Sequence, residues 1–383
     1  MRSRPRKIAF LTGSRGEWGY IRPIIRKLIT QPELDYALLV TNMHLLPEFG
    51  QSENEILRDG FDIAERLYMT LDGYTGETMV KSLGILLTEL PGALKRIAPD
   101  ILLLAGDRGE QLAGALAAIH MGIAVAHIQA GELSGNVDGI VRHAITKLAH
   151  IHFAANDDFA ERVQKMGEDP WRIHVTGAPL VDEMLMSGFS TPEELHTRIG
   201  IDVRENYVLC VQHPVTEEEK NATMHTRAVL EAIAQYGAPT ILVYPNADAG
   251  SADVRAAIDA HAPTNIRIFR NLPRSDYLGL VKNAHIMVGN SSSGIMEAPT
   301  FGTAVVNLGR RQAGRTQSKN VINAEYETEK IVAAMREAAS DAFQQHAAQA
   351  INPYGTGTAS EAIVQCLQSV VIDDRLLNKK MAY

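Results

Sequence analysis

Side chains able to transfer protons are concentrated between Gly106 and His143. The acidic residues of this run are Asp107, Glu110, Glu132 and Asp138. They follow short apolar segments, so a parallel sheet would bring several of them to one edge. Carboxyl groups gathered around one ligand can act as general acids and bases. A salt-bridge network with Arg108, Arg142 and His143 is the alternative interpretation of the same residues.

Gln129 lies in the same run, directly after the apolar segment 123–128. A side-chain amide donates and accepts hydrogen bonds, but it does not exchange a proton as a carboxylate does. Gln129 is therefore a candidate for orienting a water or a hydroxyl group in an active site, and not for carrying the proton.

A second type of site is indicated by a turn of small residues from Gly289 to Gly294. It contains Ser291 and Ser292, follows an apolar segment and precedes Glu297. Backbone N–H groups and hydroxyls in such a turn can bind a phosphate, and the Glu297 carboxylate can accept hydrogen bonds from ribose hydroxyls. An ordinary capped helix start is the alternative.

Weaker candidates for phosphate or nucleoside contacts follow other apolar segments. They are Arg15 in the turn 13–17, Arg108, His213 in 212–216, Asn246 in 244–250, and Arg310, Arg311 and Arg315. A histidine after a strand can also shuttle protons. Solvated surface residues would look the same in sequence, so each of these sites has that alternative.

The elements that must position these residues alternate regularly. Strand-like segments lie at 7–12, 36–41, 101–105, 123–128, 151–154, 207–212, 240–244, 266–269, 286–288 and 304–308, with amphipathic helical segments between them. This alternation predicts right-handed βαβ units and parallel sheets. We therefore predict an α/β fold of two Rossmann-like domains, residues 1–180 and 181–383, whose facing strand ends form a central cleft. The helical stretch 360–377 can pack on either domain.

Composition narrows the class of protein. The 383 residues are 45% hydrophobic, and 37 basic against 45 acidic residues give a net charge of −8. Because no block of like charge stands out, nucleic-acid and membrane-surface partners are not expected. No apolar run reaches the ~18 residues of a membrane span. The two cysteines, Cys210 and Cys366, indicate neither a disulfide framework nor a zinc site, and we predict a cytoplasmic protein.

Taken together, these stretches resemble the UDP-N-acetylglucosamine 2-epimerase family, and specifically its hydrolysing branch, which supplies N-acetylmannosamine for sialic acid synthesis. The resemblance covers nearly the whole chain. The matching stretches are 106–108, 131–135, 142–150, 212–216, 244–246 and 289–292. Glu132 to Gly135 favours the hydrolysing branch, since non-hydrolysing members usually have Leu-Arg-Thr after the same glycine.

The resemblance implies a GT-B arrangement in which the C-terminal domain holds most of the nucleotide, with UDP contacts from Arg15, His213, Ser291, Ser292 and Glu297. It implies catalytic acids at Asp107 and Asp138, no metal and no other cofactor, and a homodimer or homotetramer. The implied reaction removes the C2 proton as UDP leaves, which gives a glycal. Water then adds at C1 while an acid protonates C2 from the opposite face.

One departure from the family pattern bears on the substrate. Sialic-acid members typically have glutamate and glycine where this chain has Gln129 and Ala130. Asp107, Glu132, Asp138 or a water that they activate must then move the proton. UDP-N-acetylglucosamine is the first candidate substrate, and a nucleotide-linked 2,4-diacetamido-2,4,6-trideoxy hexose of the legionaminic acid type is the second. A GT-B glycosyltransferase and an inactive sugar-nucleotide sensor are the alternatives of other classes.

Overall fold

The computed structural model of the protein describes residues 4–72, 75–133, 137–200, 202–245, 251–270 and 272–382. In chain order the strands of these residues are β1 Arg6–Thr12, β2 Leu34–Thr41, β3 Glu65–Leu67, β4 Ile101–Ala105, β5 Ala124–Ile128, β6 Ile151–Ala154, β7 Ile173–Val175, β8 Val208–Val211, β9 Thr240–Val243, β10 Ile266–Phe269, β11 Ile286–Gly289, β12 Ala304–Leu308 and β13 Val321–Ala324.

The α-helices that connect the strands are α1 Arg15–Leu28, α2 Glu53–Arg58, α3 Gly76–Ile97, α4 Gly109–His120, α5 Val137–Leu148, α6 Asp157–Lys165, α7 Pro179–Ser187, α8 Pro192–Ile199, α9 Ala222–Tyr236, α10 Ser251–His261, α11 Arg274–Asn283, α12 Ser293–Met296, α13 Ala298–Phe301, α14 Thr328–Ala338, α15 Asp341–Ala348, α16 Ala359–Ser369 and α17 Asp374–Leu377. Within the described ranges, no helix is long and apolar enough to cross a membrane.

The chain divides into two compact units, one of residues 1–183 with 354–383 and the other of residues 184–353. In the described part of the first unit, seven parallel strands form one sheet in the order β3-β2-β1-β4-β5-β6-β7. The order reverses direction at β1, which pairs with both β2 and β4. Ligands of open α/β sheets bind at such a switch point, beyond the carboxyl ends of the strands.

The second unit repeats this plan. Six parallel strands of its described residues have the order β10-β9-β8-β11-β12-β13, so its switch point lies between β8 and β11. Aliphatic side chains of these strands pack beneath the flanking helices, with Val208, Val288 and Val306 fully or almost fully buried. The predicted pair of Rossmann-like α/β domains is confirmed.

The C-terminal segment belongs to the first unit, so the helical stretch 360–377 packs on the first of the two domains that the sequence left open, and the second unit ends at residue 353 instead of 383. Two contacts explain this. The Asp182 carboxylate accepts hydrogen bonds from the backbone N–H groups of Ala359, at 3.1 Å, and Ser360, at 2.6 Å, at the start of α16. Arg6 on β1 donates to the carbonyls of Leu367 and Gln368 near the end of the same helix.

The predicted helical stretch 360–377 is two helices. α16 ends at Ser369, and α17 begins after Asp373, whose side chain accepts a hydrogen bond of 2.9 Å from the Leu376 N–H. An aspartate at an N-cap starts a new helix because it satisfies an N–H that has no partner within the helix. Apolar residues continue across this break, so the sequence predicted one helical stretch where the structure has two helices.

Candidate functional site

Gln129, directly after β5 at the carboxyl edge of the first unit's sheet, has a rare backbone conformation. Gln129 has φ +64°, a left-handed value that residues other than glycine adopt infrequently. Its amide Nε2 donates to the Tyr20 hydroxyl and to the Glu132 carboxylate, each at 3.0 Å. The structure therefore brings the side chains of Gln129, Glu132 and Tyr20 of α1 together.

Asp107, two residues after the end of β4, forms an ion pair with Arg142 of α5. The Arg142 side chain is only 3% exposed and the Asp107 side chain 21% exposed. Nε and Nη1 of Arg142 are buried and have no hydrogen-bond partner among the described residues. Because unpaired buried donors are costly, this guanidinium is suited to bind a further anionic or carbonyl group beside the Asp107 carboxylate.

His127 fixes the turn that carries Asp107. Its Nε2 lies 2.8 Å from the Gly106 carbonyl oxygen and its Nδ1 lies 3.2 Å from the Thr146 hydroxyl. Since a carbonyl only accepts, Nε2 carries the ring proton. Burial lowers the pKa of His127 to about 3, so the ring is neutral. Burial also lowers the pKa of His143.

Glu110 is a structural part of the turn after β1. It is 3% exposed and accepts hydrogen bonds from Asn42 and from Arg108 Nε, the latter at 3.4 Å. A Cβ on Gly13 would lie 2.9 Å from a Glu110 carboxylate oxygen, so the glycine allows this close approach. Burial and the charge of Glu110 raise the pKa of Glu17, whose carboxylate accepts from the backbone N–H groups of Gly13 and Ser14, just before α1.

Arg15 and Arg108, both predicted to contact the nucleotide, belong to the first unit. Arg15 forms an exposed ion pair with Glu55 at 2.5 Å, and Arg108 pairs with Glu110. The Arg108 pair agrees with the salt-bridge interpretation of its cluster. Nucleotide contact by either arginine stays a prediction.

At the switch point of the second unit, the Asn290 side chain in the turn after β11 is hydrogen-bonded to the backbone of the turn after β8. The His213 N–H donates to Asn290 Oδ1 at 2.7 Å, and Asn290 Nδ2 donates to the His213 carbonyl at 2.8 Å. Asn290 Nδ2 also lies 3.1 Å from the Tyr326 hydroxyl. Sequence reasoning missed Asn290 as an anchor and Tyr326 as its neighbour, because β13, which precedes Tyr326, was not predicted.

The serine turn is held close to this anchor. Ser291 is 7% exposed, and Arg311 Nη1 donates to the Asn290 carbonyl at 3.2 Å. Glu297 is buried, where it pairs with Arg274 and accepts a hydrogen bond from Ser293. The pairing with Arg274 is a structural role that the sequence did not indicate. Ser292 lies between Ser291 and α12 and is half-buried.

Two predicted residues cannot be placed. Asn246 lies outside the described residues, and so does the side chain of Asp138, although Asp138 belongs to α5. In the remainder of the site, and elsewhere in the described chain, no three His, Cys, Asp or Glu side chains are grouped so that they could hold a metal ion.

Gly289 offers a test of the second switch point. It has φ +129°, and a Cβ there would overlap the Val211 carbonyl oxygen. We expect Gly289→Ala to lower the free energy of unfolding by more than about 2 kcal/mol, because the turn must move. Urea unfolding measures the effect.

Gly237→Ala is the matched control in the same unit. Gly237 has φ +79° but no heavy atom within 4 Å of the place that an added methyl group would take. Only the left-handed backbone conformation then lowers the free energy of unfolding, by about 1 kcal/mol. Equal losses of stability in the two variants would contradict the steric explanation.

Comparison with known proteins matches the chain to a family model and to two proteins that are each named as a 2-epimerase. The family model described as UDP-N-acetylglucosamine 2-epimerase matches residues 26–368. A Legionella pneumophila protein named UDP-N,N'-diacetylbacillosamine 2-epimerase (hydrolyzing) is 36% identical over 379 residues, which cover 99% of this chain and 100% of the relative. A Neisseria meningitidis UDP-N-acetylglucosamine 2-epimerase is 34% identical over 335 residues, 88% of each chain.

The fold is similar to a crystal structure of UDP-GlcNAc 2-epimerase from Neisseria meningitidis bound to UDP-GlcNAc. The TM-score is 0.80 at 19% sequence identity, and the match covers 94% of this chain and 99% of that chain. At this identity the similarity shows the fold alone.

Proposed function

Because the chain belongs to the UDP-N-acetylglucosamine 2-epimerase family, we propose that it is a hydrolysing 2-epimerase. It converts a UDP-linked 2-acetamido hexose and water into UDP and the free sugar inverted at C2. The observation that carries this proposal is the 36% identity, across the whole chain, to a relative named as hydrolysing. The reaction moves protons but no net electrons, so the proposal includes no redox cofactor.

The proposed sugar is a 2,4-diacetamido-2,4,6-trideoxy hexose. The sequence alone places UDP-N-acetylglucosamine first, but the relative matched over the full length is named for the diacetylated sugar. Gln129 supports the same choice, since its amide is held by two hydrogen bonds where a proton-carrying glutamate is typical of the sialic-acid members. UDP-N-acetylglucosamine remains the second candidate because the 34% identical relative is named for it.

In the proposed first step, a carboxylate of the first unit removes the C2 proton while the C1–O bond to UDP breaks. The electron pair of the C2–H bond forms the C1–C2 double bond of a glycal, and UDP departs. Asp107 is the proposed base, because it combines a partly exposed carboxylate with the Arg142 guanidinium. That guanidinium has further donors for the acetamido carbonyl oxygen of the sugar.

In the second step, water adds to C1 and an acid protonates C2 from the opposite face. Asp138 and Glu132 are the candidate acids, and Gln129 orients Glu132 through the hydrogen bond between their side chains. In the second unit, His213, Ser291 and Ser292 are proposed to hold the diphosphate of the leaving UDP. Their support is their position at the β8 and β11 switch point.

Incubation with both UDP sugars tests the proposal. We expect release of UDP and a free sugar, faster from the diacetamido trideoxy hexose than from N-acetylglucosamine. In D₂O the product should carry one deuterium at C2, because a new proton is added there.

The other outcomes identify the other functions. A 2-epimer still linked to UDP would indicate a non-hydrolysing epimerase. Sugar transfer to an acceptor without deuterium at C2 would indicate a glycosyltransferase. Tight UDP binding with no turnover of either sugar would indicate a sensor.

A further inference from the structure

The last residues of the chain are tied to the first unit at several points. Arg172 donates to the Leu376 carbonyl at 2.9 Å, and the Ala382 N–H donates to the Gly167 carbonyl at 2.9 Å. Between these anchors lies Lys379, whose side chain is 15% exposed. The tail after α17 is therefore docked along its length, and its central contact is a nearly buried ammonium group.

Lys379 caps the C-terminus of α5. Its Nζ donates to the carbonyls of Lys147, at 2.5 Å, and Ala149, at 2.8 Å, and it lies 3.0 Å from the Glu168 carboxylate. With the more distant Thr146 carbonyl, at 3.5 Å, these acceptors engage all three N–H donors of the ammonium group. The last carbonyls of a helix have no partner within the helix, and a cation there also interacts favourably with the helix dipole.

Glu168 compensates the charge of this cap. Its buried carboxylate accepts hydrogen bonds from His152 Nε2, at 3.0 Å, and from Lys147 Nζ, at 2.5 Å. Burial alone would raise the pKa of Glu168, but these bonds and the neighbouring cations hold it at about 2. Burial lowers the pKa of His152 to about 4, so its ring is neutral and donates through Nε2–H.

α5 is also the helix that carries Arg142, the partner of Asp107, and Asp138. We propose that Lys379 is a positioning residue: by capping α5 it holds Arg142, and through Arg142 the Asp107 carboxylate, in the geometry that the reaction requires. This inference rests on the proposed function for its catalytic part. Misplacement of reacting groups by about 1 Å can cost roughly a hundredfold in rate, so the loss of a distant cap can slow the reaction.

Lys379→Met tests this role, because methionine keeps most of the length and apolar bulk but removes the ammonium group. We expect kcat to fall roughly tenfold to hundredfold, with little change in KM and in UDP affinity. We also expect faster amide hydrogen exchange at residues 144–149, where the last turn of α5 has lost its cap. Lys380→Met is the matched control, since Lys380 is the exposed neighbour in the same tail, and it should match the wild type in both measurements.

Each outcome decides the proposal. Unchanged kcat overturns it, whether or not exchange at 144–149 is faster, because Lys379 would then be structural at most. Unchanged amide hydrogen exchange at residues 144–149 would show that Lys379 does not cap α5. If the wild type turns over no sugar nucleotide, the proposed function fails together with the catalytic part, and the exchange measurement still decides whether Lys379 caps α5. If Lys379→Met does not fold, Lys379→Gln, which keeps two N–H donors without the charge, takes its place.

Discussion

Asp107→Asn is expected to lower kcat by roughly 10²- to 10⁴-fold, the usual contribution of a positioned general acid or base. Asparagine has the same shape as aspartate and can still accept a hydrogen bond from Arg142, so the fold should be retained. It cannot take the C2 proton at neutral pH. UDP affinity should stay within a few-fold of the wild type, because the proposed diphosphate contacts belong to the second unit. Rates of UDP release and calorimetric titration with UDP measure the two quantities.

Asp35→Asn is the control for this prediction. Asp35 belongs to the same unit and also faces a cation, Lys7, at 3.6 Å, but the pair is largely exposed. Such pairs contribute little to stability, so this variant should keep the wild-type kcat. If Asp107→Asn turns over at the same rate as Asp35→Asn, Asp107 is not the base, and its pairing with Arg142 is structural.

The sequence predicts the polar residues of the site well where they follow a strongly apolar strand. Apolar runs such as Ile101–Ala105 and Ala304–Leu308 have the bounds that the structure shows, and parallel pairing then forces the residues after them to one edge of the sheet. This is why Asp107 and Gln129 are found at the carboxyl ends of neighbouring strands, β4 and β5. The capping box at Thr191 is equally local and was also readable from sequence.

Weak edge strands and long-range partners were not predictable. β7 and β13 have short, half-exposed segments, Ile173–Val175 and Val321–Ala324, without a strong apolar run. Missing β13 meant missing Tyr326 as a neighbour of Asn290. The contact between Tyr20 and Gln129 joins residues 109 positions apart, and no local pattern reports such a distance along the chain.

The backbone of Gln129 illustrates a further limit. Left-handed residues are normally recognised as glycine, and Gly106 after β4 and Gly131 after β5 do have positive φ, +90° and +78°. Gln129 adopts φ +64° without that signal. Its side chain is held by two hydrogen bonds, and strained residues held in this way are concentrated at functional sites. Gln129 thus departs from the family pattern in its side chain and from the usual backbone conformation in its φ angle.

Gln129→Glu is expected to lower activity, because in the wild-type protein the Gln129 amide donates a hydrogen bond to Glu132. The variant would place a second carboxylate where the amide nitrogen lies, 3.0 Å from a Glu132 oxygen. Two carboxylates at this separation do not both ionise without cost, and the hydrogen bond that orients Glu132 is lost. We expect kcat/KM to fall by about tenfold or more at neutral pH, and by less in acid, where the pair shares a proton and a hydrogen bond returns.

The pH profile separates this expectation from the opposite one. If Gln129 stands where the reaction needs a proton-carrying glutamate, Gln129→Glu should instead raise kcat by orders of magnitude at neutral pH. Gln365→Glu is the matched control, because Gln365 also donates to a carboxylate, Glu361, at 3.5 Å, but on the exposed surface of α16. It adds the same charge without crowding a buried carboxylate, and it should leave kcat/KM unchanged. A fall confined to Gln129→Glu, and relieved in acid, would show that the amide itself is the functional group at this position.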